Sequence, residues 1–150
     1  MGWSRTAGGM LLALGIAAGA LAEDGKAVFE KRESTMKQMG KPFYLTLGRA
    51  VKAGKAPDPE IVGAAETVAG LAKNLEPALF APGSDVGGTK MKPAIFKEPD
   101  KVAALSAAAR DAVARLTAAA QSGDKEALAT AYRAAAEACA SCHKAYRAED

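Results

Sequence analysis

The sequence predicts an all-α protein built as a four-helix bundle, and three observations carry that expectation. Apolar residues make up 49% of the 150 residues and aromatic ones 5%, while runs of β-branched residues, the usual material of strands, are nearly absent. Four segments repeat their apolar residues at helical spacing, each bounded by capping or breaking residues. Two of the connections between them are short and one is long, which sets the helices side by side around a shared interior. Much of the apolar share is alanine. Small side chains fill little volume each, so such a core asks for close helix packing or for one large apolar filler.

Residues 1–22 stand apart from the rest. Arg5 is their one charged residue; an apolar segment follows from about Ala7 through Leu11, Leu12, Leu14 and Ile16, and Ala20-Leu21-Ala22 has the small-x-small form of a cleavage site. This pattern predicts a signal peptide over 1–22 and a mature domain over 23–150. The apolar run is shorter than the ~20 residues that span a bilayer, which argues against a retained anchor. Without Arg5 the chain carries 19 basic against 17 acidic residues, a net charge near +2. So small a balance points to no nucleic-acid partner.

The first helix is expected from about Asp24 to Ala53, because Phe29, Met36, Phe43 and Ala50 recur every seven residues. Pro42 cannot donate to the carbonyl of Gln38, so a kink is expected just after Gly40. Asp58-Pro59-Glu60 reads as a cap, a first-turn proline and a first-turn acid, opening a helix to about Asn74 with Ile61, Ala65, Val68 and Leu71 inward. Residues 76–100 hold four prolines and three glycines and are expected as a long loop of functional kind. A third helix is expected over about Pro99–Ala120, with Val102, Leu105, Ala109, Val113 and Leu116 in register. Gly123 closes it and Asp124 caps the fourth, whose single face carries Leu128, Tyr132, Ala135, Cys139, Cys142, His143 and Tyr146.

That last helix holds the chemistry. Cys139-Ala140-Ser141-Cys142-His143 contains both cysteines and the only histidine of the chain. Each thiol of a C-x-x-C-H motif can add across a vinyl group to form a thioether, and the imidazole next to the second cysteine can ligate iron, so the motif predicts one covalent haem c with His143 as the metal ligand. At i, i+3 and i+4 on a helix the three side chains share a face. A thioredoxin-type redox pair would need a βαβ pattern, a disulfide within one helical turn is geometrically poor, and a zinc site wants a fourth ligand. Outside the first 22 residues, Met36, Met39 and Met91 are the sulfur atoms available to such a group. Haem attachment also agrees with export, since in bacteria c-type haem is attached outside the cytoplasmic membrane.

Taken together, the stretch Lys31 to Gly40, Leu79-Phe80, Gly83-Ser84-Asp85, Thr89-Lys90-Met91-Lys92-Pro93-Ala94-Ile95-Phe96 and Cys139 to Arg147 resembles class II cytochromes c, specifically cytochrome c', over essentially residues 24–148. The resemblance implies an antiparallel four-helix bundle with haem near one end, often a homodimer through the first two helices. It implies that Cys139 and Cys142 hold the haem, that His143 is its proximal ligand, that Met36 stands over the distal face, and that Arg32 and Arg147 lie near the haem edge and the proximal face. Phe96 departs from the tryptophan often found after Lys-Pro-x-Ile, and Pro42 from the helix formers usual there. Read from the residues alone, Met36 is a core gap-filler as readily as a ligand, Arg32 a solvated face residue with a packed stem, and Arg147 a cation at a helix C-terminus.

The function expected is that of a periplasmic protein with five-coordinate haem iron that binds nitric oxide and carbon monoxide and can pass electrons. No acid–base or nucleophile constellation accompanies the motif, so no enzyme is expected. The competing expectation is a six-coordinate, low-spin electron carrier in which Met36 is the sixth ligand.

Overall fold

The structure, a computed structural model, describes residues 15–148, with side chains from residue 24 onward. Of the signal peptide expected over 1–22, residues 1–14 lie outside the described residues. Helix α1 (Gly15–Gly40) continues through a π-helical segment, Lys41–Leu47, into α2 (Gly48–Lys52), and the three form one rod. Helices α3 (Pro59–Ala72), α4 (Pro99–Gln121) and α5 (Lys125–Tyr146) complete an antiparallel four-helix bundle. Among the described residues no strand occurs, and the only ladder-like pairing is an isolated antiparallel bridge between Met91 and Arg147.

Pro42 does not break the first helix. It has no N–H for the carbonyl of Gln38 and its ring crowds that carbonyl, and the chain responds by widening to the i→i+5 pattern, in which the N–H of Gly48 donates to the carbonyl of Phe43. The seven-residue stripe survives the change, with Phe43, Leu47 and Ala50 all buried.

The caps act as read. The Asp58 carboxylate accepts from the N–H of Ile61 at 2.9 Å, and that of Asp124 from Glu126 and Ala127 at 2.8 and 3.0 Å. Gly123 takes φ +78°, a left-handed closing turn that costs glycine least. The α3 stripe ends one residue later than expected: Ala72 is buried where Leu71 is half-buried. Leu105 of α4 is likewise half-buried. Leu47, Ala65, Leu116, Leu128 and Ala135 are fully enclosed and form the centre of the core.

Lys55, 2.6 Å away, and then the Ile61 N–H hold the Asp58 carboxyl below its ordinary range, and the Ala127 and Glu126 N–H groups do the same for Asp124. A carboxyl depressed in the folded state adds stability that is complete above its unfolded value near 4 and is lost as the pH falls through the folded value. The melting temperature is therefore expected to drop on acidification below about pH 4. Asp124→Asn, which keeps the cap but not the charge, should flatten that acid limb in a pH series of thermal melts; an unchanged limb would refute the assignment.

The long loop between α3 and α4 is not featureless. Two short 3-10 turns, Pro77–Phe80 and Pro93–Phe96, punctuate it, and Leu79, Phe80 and Ile95 go into the core. The stretch between these turns forms a strap from the α1 side of the bundle to the end of α5.

Candidate haem site

Helix α5 ends at a cavity of ≈ 540 Å³ that all four sides of the bundle help to enclose. This size lies within the ~300–1,000 Å³ usual for cofactor and small-molecule sites. The structure brings together there every site residue expected from sequence: Cys139, Cys142 and His143 from α5, Arg147 just past it, and Arg32 and Met36 from α1. Met39 and Met91 join them, so all three methionines outside residues 1–22 reach this wall. The remaining lining is largely apolar.

The α5 face arises as its spacing predicts. No Gly or Pro interrupts Lys125–Tyr146, and alanine around the motif favours helix, so residues 139, 142 and 143 project the same way. Both cysteines are free thiols and half-buried. Burial raises both thiols above their ordinary values, and Cys139 adds to the rise at Cys142. His143 moves down, first by burial and then by the charge of Arg147. A neutral imidazole with its lone pair free is the form that binds a metal. Among the described residues no three His, Cys, Asp or Glu side chains converge on one ion position, so the motif is not arranged as a zinc cage. Two thiols spread along one wall of a broad apolar cavity, with an imidazole beside them, fit the two attachment points and the axial ligand that a haem c requires.

Arg32 differs from the reading of the residue alone, and Arg147 agrees with it. Arg32 is not a solvated face residue: it is 4% exposed. Its guanidinium lies 5.7 Å from the Phe29 ring centroid and donates to the Leu79 carbonyl at 3.0 Å, to the Ser84 hydroxyl and carbonyl at 2.8 and 2.7 Å, and to the Thr89 hydroxyl at 3.3 Å. Desolvation lowers its affinity for the proton, with Asp85 opposing, yet a guanidinium stays charged in any such site. Arg147 is exposed and caps α5, its N–H donating to the His143 carbonyl at 2.8 Å.

Several participants escaped sequence reasoning. The strap is sewn to the end of α5: the Lys92 N–H donates to the Tyr146 carbonyl at 2.7 Å, the Ala148 N–H to the Lys90 carbonyl at 2.8 Å. Tyr146, almost wholly enclosed, donates its hydroxyl to Glu98 at the start of α4, and Lys101 stands 5.6 Å from its ring centroid and 3.1 Å from the Glu98 carboxylate. Phe43 and Tyr44 enter the cavity wall from the π-helical segment, and Phe43 stacks on Tyr132 of α5 with centroids 4.9 Å apart. Phe96, at the position of the expected tryptophan, is half-buried against the core.

With this geometry in place the family is decided by comparison. The profile of the family described as Cytochrome C' matches residues 27–147. The chain belongs to the cytochrome c' family. Its cofactor is accordingly haem c, with which the C-x-x-C-H motif of Cys139 and Cys142 is consistent. Cytochrome c' from Thermochromatium tepidum is 29% identical over 83% of this chain and 97% of its own, with a TM-score of 0.76. A cytochrome c' with unusual ligand-controlled dimer dissociation is 28% identical over 83% and 97%, with a TM-score of 0.75. The Alcaligenes xylosoxidans protein is similar in a ferrous variant with nitric oxide bound, 26% identical over 84% and 97% with a TM-score of 0.72. A variant of it with carbon monoxide bound is 28% identical over 83% and 97% with a TM-score of 0.71. No curated protein matches the chain.

Proposed function

We propose that the protein is a periplasmic cytochrome c' whose five-coordinate haem iron binds nitric oxide and carbon monoxide, with electron transfer as a further capacity. The observation that carries this reading is the asymmetry of the cavity. Its α5 side supplies His143, the only imidazole of the chain, while the apolar side chains of α1 on the wall, Phe29, Met36 and Met39, bring no second nitrogen ligand; Arg32 and Lys37 of α1 line it as well. When bound, the haem supplies an iron with an open coordination position. The residues of the chain then decide what reaches it: a lining that is mostly apolar admits small uncharged gases, which need no hydrogen-bond partner there. The nitric oxide and carbon monoxide complexes of the Alcaligenes xylosoxidans protein support the same reading.

Cys139 and Cys142 would carry the thioethers, His143 the proximal bond, and Met36 would narrow the distal side by its bulk. Arg32 and Arg147 would lie at the edges of the group. A homodimer through the rod and α3 is part of the proposal, supported by Tyr44 and Leu45 of the rod, which are 56% and 46% exposed, and by the dimeric relative. A purely monomeric holoprotein in sedimentation equilibrium would remove that part.

The test lies in Met36. The as-isolated ferric protein is expected to be high- or mixed-spin, the ferrous protein to bind both gases, and Met36→Ala to speed their association by widening the cavity. Met36 lies on the cavity wall, and that observation keeps a second reading in play, a low-spin electron carrier with the Met36 sulfur as sixth ligand. A low-spin resting spectrum that Met36→Ala turns high-spin would establish that reading and overturn the first.

Periplasmic location rests on the residue pattern of 1–22, and no helix among the described residues is long and apolar enough to cross a membrane. Expression without residues 1–22 is expected to leave haem-free protein in the cytoplasm. Holoprotein from such cells, if they lack any cytoplasmic attachment system, would sink the assignment.

A further inference from the structure

We propose that Arg32 acts as a positioning residue that fastens the strap of residues 79–91 along one wall of the cavity, and thereby sets the rate at which small ligands reach it. The proposal rests on the gas-binding reading for its consequence, but its structural half stands alone. Four acceptors spread over residues 79–89 converge on one buried guanidinium: the Leu79 carbonyl, the Ser84 hydroxyl and carbonyl, and the Thr89 hydroxyl. A planar fork with five donors can serve several acceptors at once, whereas an ammonium is a single point. Charge-assisted bonds of this kind are about twice as strong as neutral ones.

Along this side the strap is held by short turn bonds and by packing rather than by a helix or a ladder. Ser84 anchors its own turn by donating to the Ala81 carbonyl at 2.7 Å, and Gly83 and Gly87 take the left-handed φ values +85° and +67°, so the backbone there changes direction twice without helix or sheet bonds. It lies hard against α1: a Cβ on Gly25 would sit 2.1 Å from the Gly83 carbonyl oxygen, and one on Gly87 would sit 2.9 Å from the Phe29 ring. Phe80, Gly88, Thr89 and Met91 of the strap line the cavity itself. Any loosening of this segment therefore opens the cavity wall directly.

Thr89 joins the two ends of the device. Its hydroxyl oxygen accepts from Arg32 and from the N–H of Met91, each at 3.3 Å, and Met91 pairs with Arg147, whose N–H meets the His143 carbonyl. The strap thus runs from the first helix to the turn that bears the proximal histidine, and Arg32 holds the end that no ladder secures.

The experiment uses the full-length, haem-loaded protein and its Arg32→Met, Arg32→Lys and Thr89→Val variants. Amide hydrogen exchange of peptides covering 79–91 and the rate of carbon monoxide association with the ferrous protein are read side by side. Loss of the buried charge-assisted bonds is expected to raise exchange in the strap at least about tenfold in Arg32→Met, with faster carbon monoxide association. Arg32→Lys should not rescue either property. Thr89→Val, which leaves the guanidinium in place, should move both in the same direction by less. Unchanged exchange in the strap, faster exchange with unchanged association, or full rescue by lysine would each overturn the proposal. If Arg32→Met fails to accumulate as holoprotein, the lysine and valine variants decide it. A wild-type protein that takes up no carbon monoxide would contradict the gas-binding reading instead, and the exchange data would still decide whether Arg32 holds the strap.

Discussion

Replacing both Cys139 and Cys142 with serine is expected to abolish covalent haem and, with it, the stable fold. The two thiols are the only cysteines of the chain, and both face the cavity of ≈ 540 Å³ at the end of α5. With the haem gone, that volume must collapse, hydrate or stay empty. Unfilled apolar space costs about 24 cal/mol per Å³, so a void on this scale weighs as much as the whole ~5–15 kcal/mol that holds a domain together. Hydration relieves little of it, because Phe29, Met36, Met39, Phe43 and Phe80 offer water no hydrogen bonds. Nor can the surrounding alanines swing in to fill the gap. The double variant should therefore accumulate as haem-free protein, negative for peroxidase stain on a denaturing gel, with weakened helical circular dichroism and no cooperative melt near that of the holoprotein. A haem-free double variant that is fully helical and melts cooperatively would contradict this account and place the stability of the bundle in its alanine-rich seams.

What the sequence made legible was governed by local interactions. Asp58 and Asp124 announce their helices because the groups they satisfy lie within three residues, and Cys139, Cys142 and His143 share a face because one helical turn spans them. The strap was legible only as a long loop. Its fastenings join residues 47 to 57 positions apart in the case of Arg32, and no periodicity on α1 separates an arginine that turns toward a loop from one that turns toward water. The bridge of Met91 to Arg147 and the bond of Tyr146 to Glu98 are hidden for the same reason. Gly83 next to Ser84 was a faint sign, since a glycine before a polar residue in a loop marks a place where backbone comes close to something. Pro42 was read correctly as a disturbance, and the missing N–H fixes that the i→i+4 pattern must fail there but not which compensation the surrounding core selects, here a π-helical segment rather than a break.

That compensation places Phe43, and Phe43→Ala is expected to be among the most damaging single changes in the core. The side chain is 4% exposed, stacks on Tyr132 with centroids 4.9 Å apart and planes at 27°, and meets the edge of Tyr44 at 5.1 Å. It ties the π-helical segment of the rod to α5 through Tyr132, and it also walls the haem cavity. Truncating a buried phenylalanine costs about 3–5 kcal/mol, and the lost stacking is part of that figure because aromatic pairs add ~0.5–1.5 kcal/mol beyond area burial. Against a total of ~5–15 kcal/mol this is about a fifth or more of the stability of a typical domain. Phe43→Leu keeps most of the volume and should cost below about 1.5 kcal/mol. Thermal and denaturant melts of the two holoproteins measure the difference. Since Phe43 adjoins the cavity, Phe43→Ala should also enlarge the space beside Met36 and speed carbon monoxide association, whereas Phe43→Leu should leave the rate close to wild type. Equal, small losses of stability in both variants would mean that the π-helical segment is held by its backbone geometry and by Leu47, and that the ring stack with Tyr132 contributes little to joining the rod to the haem-bearing helix.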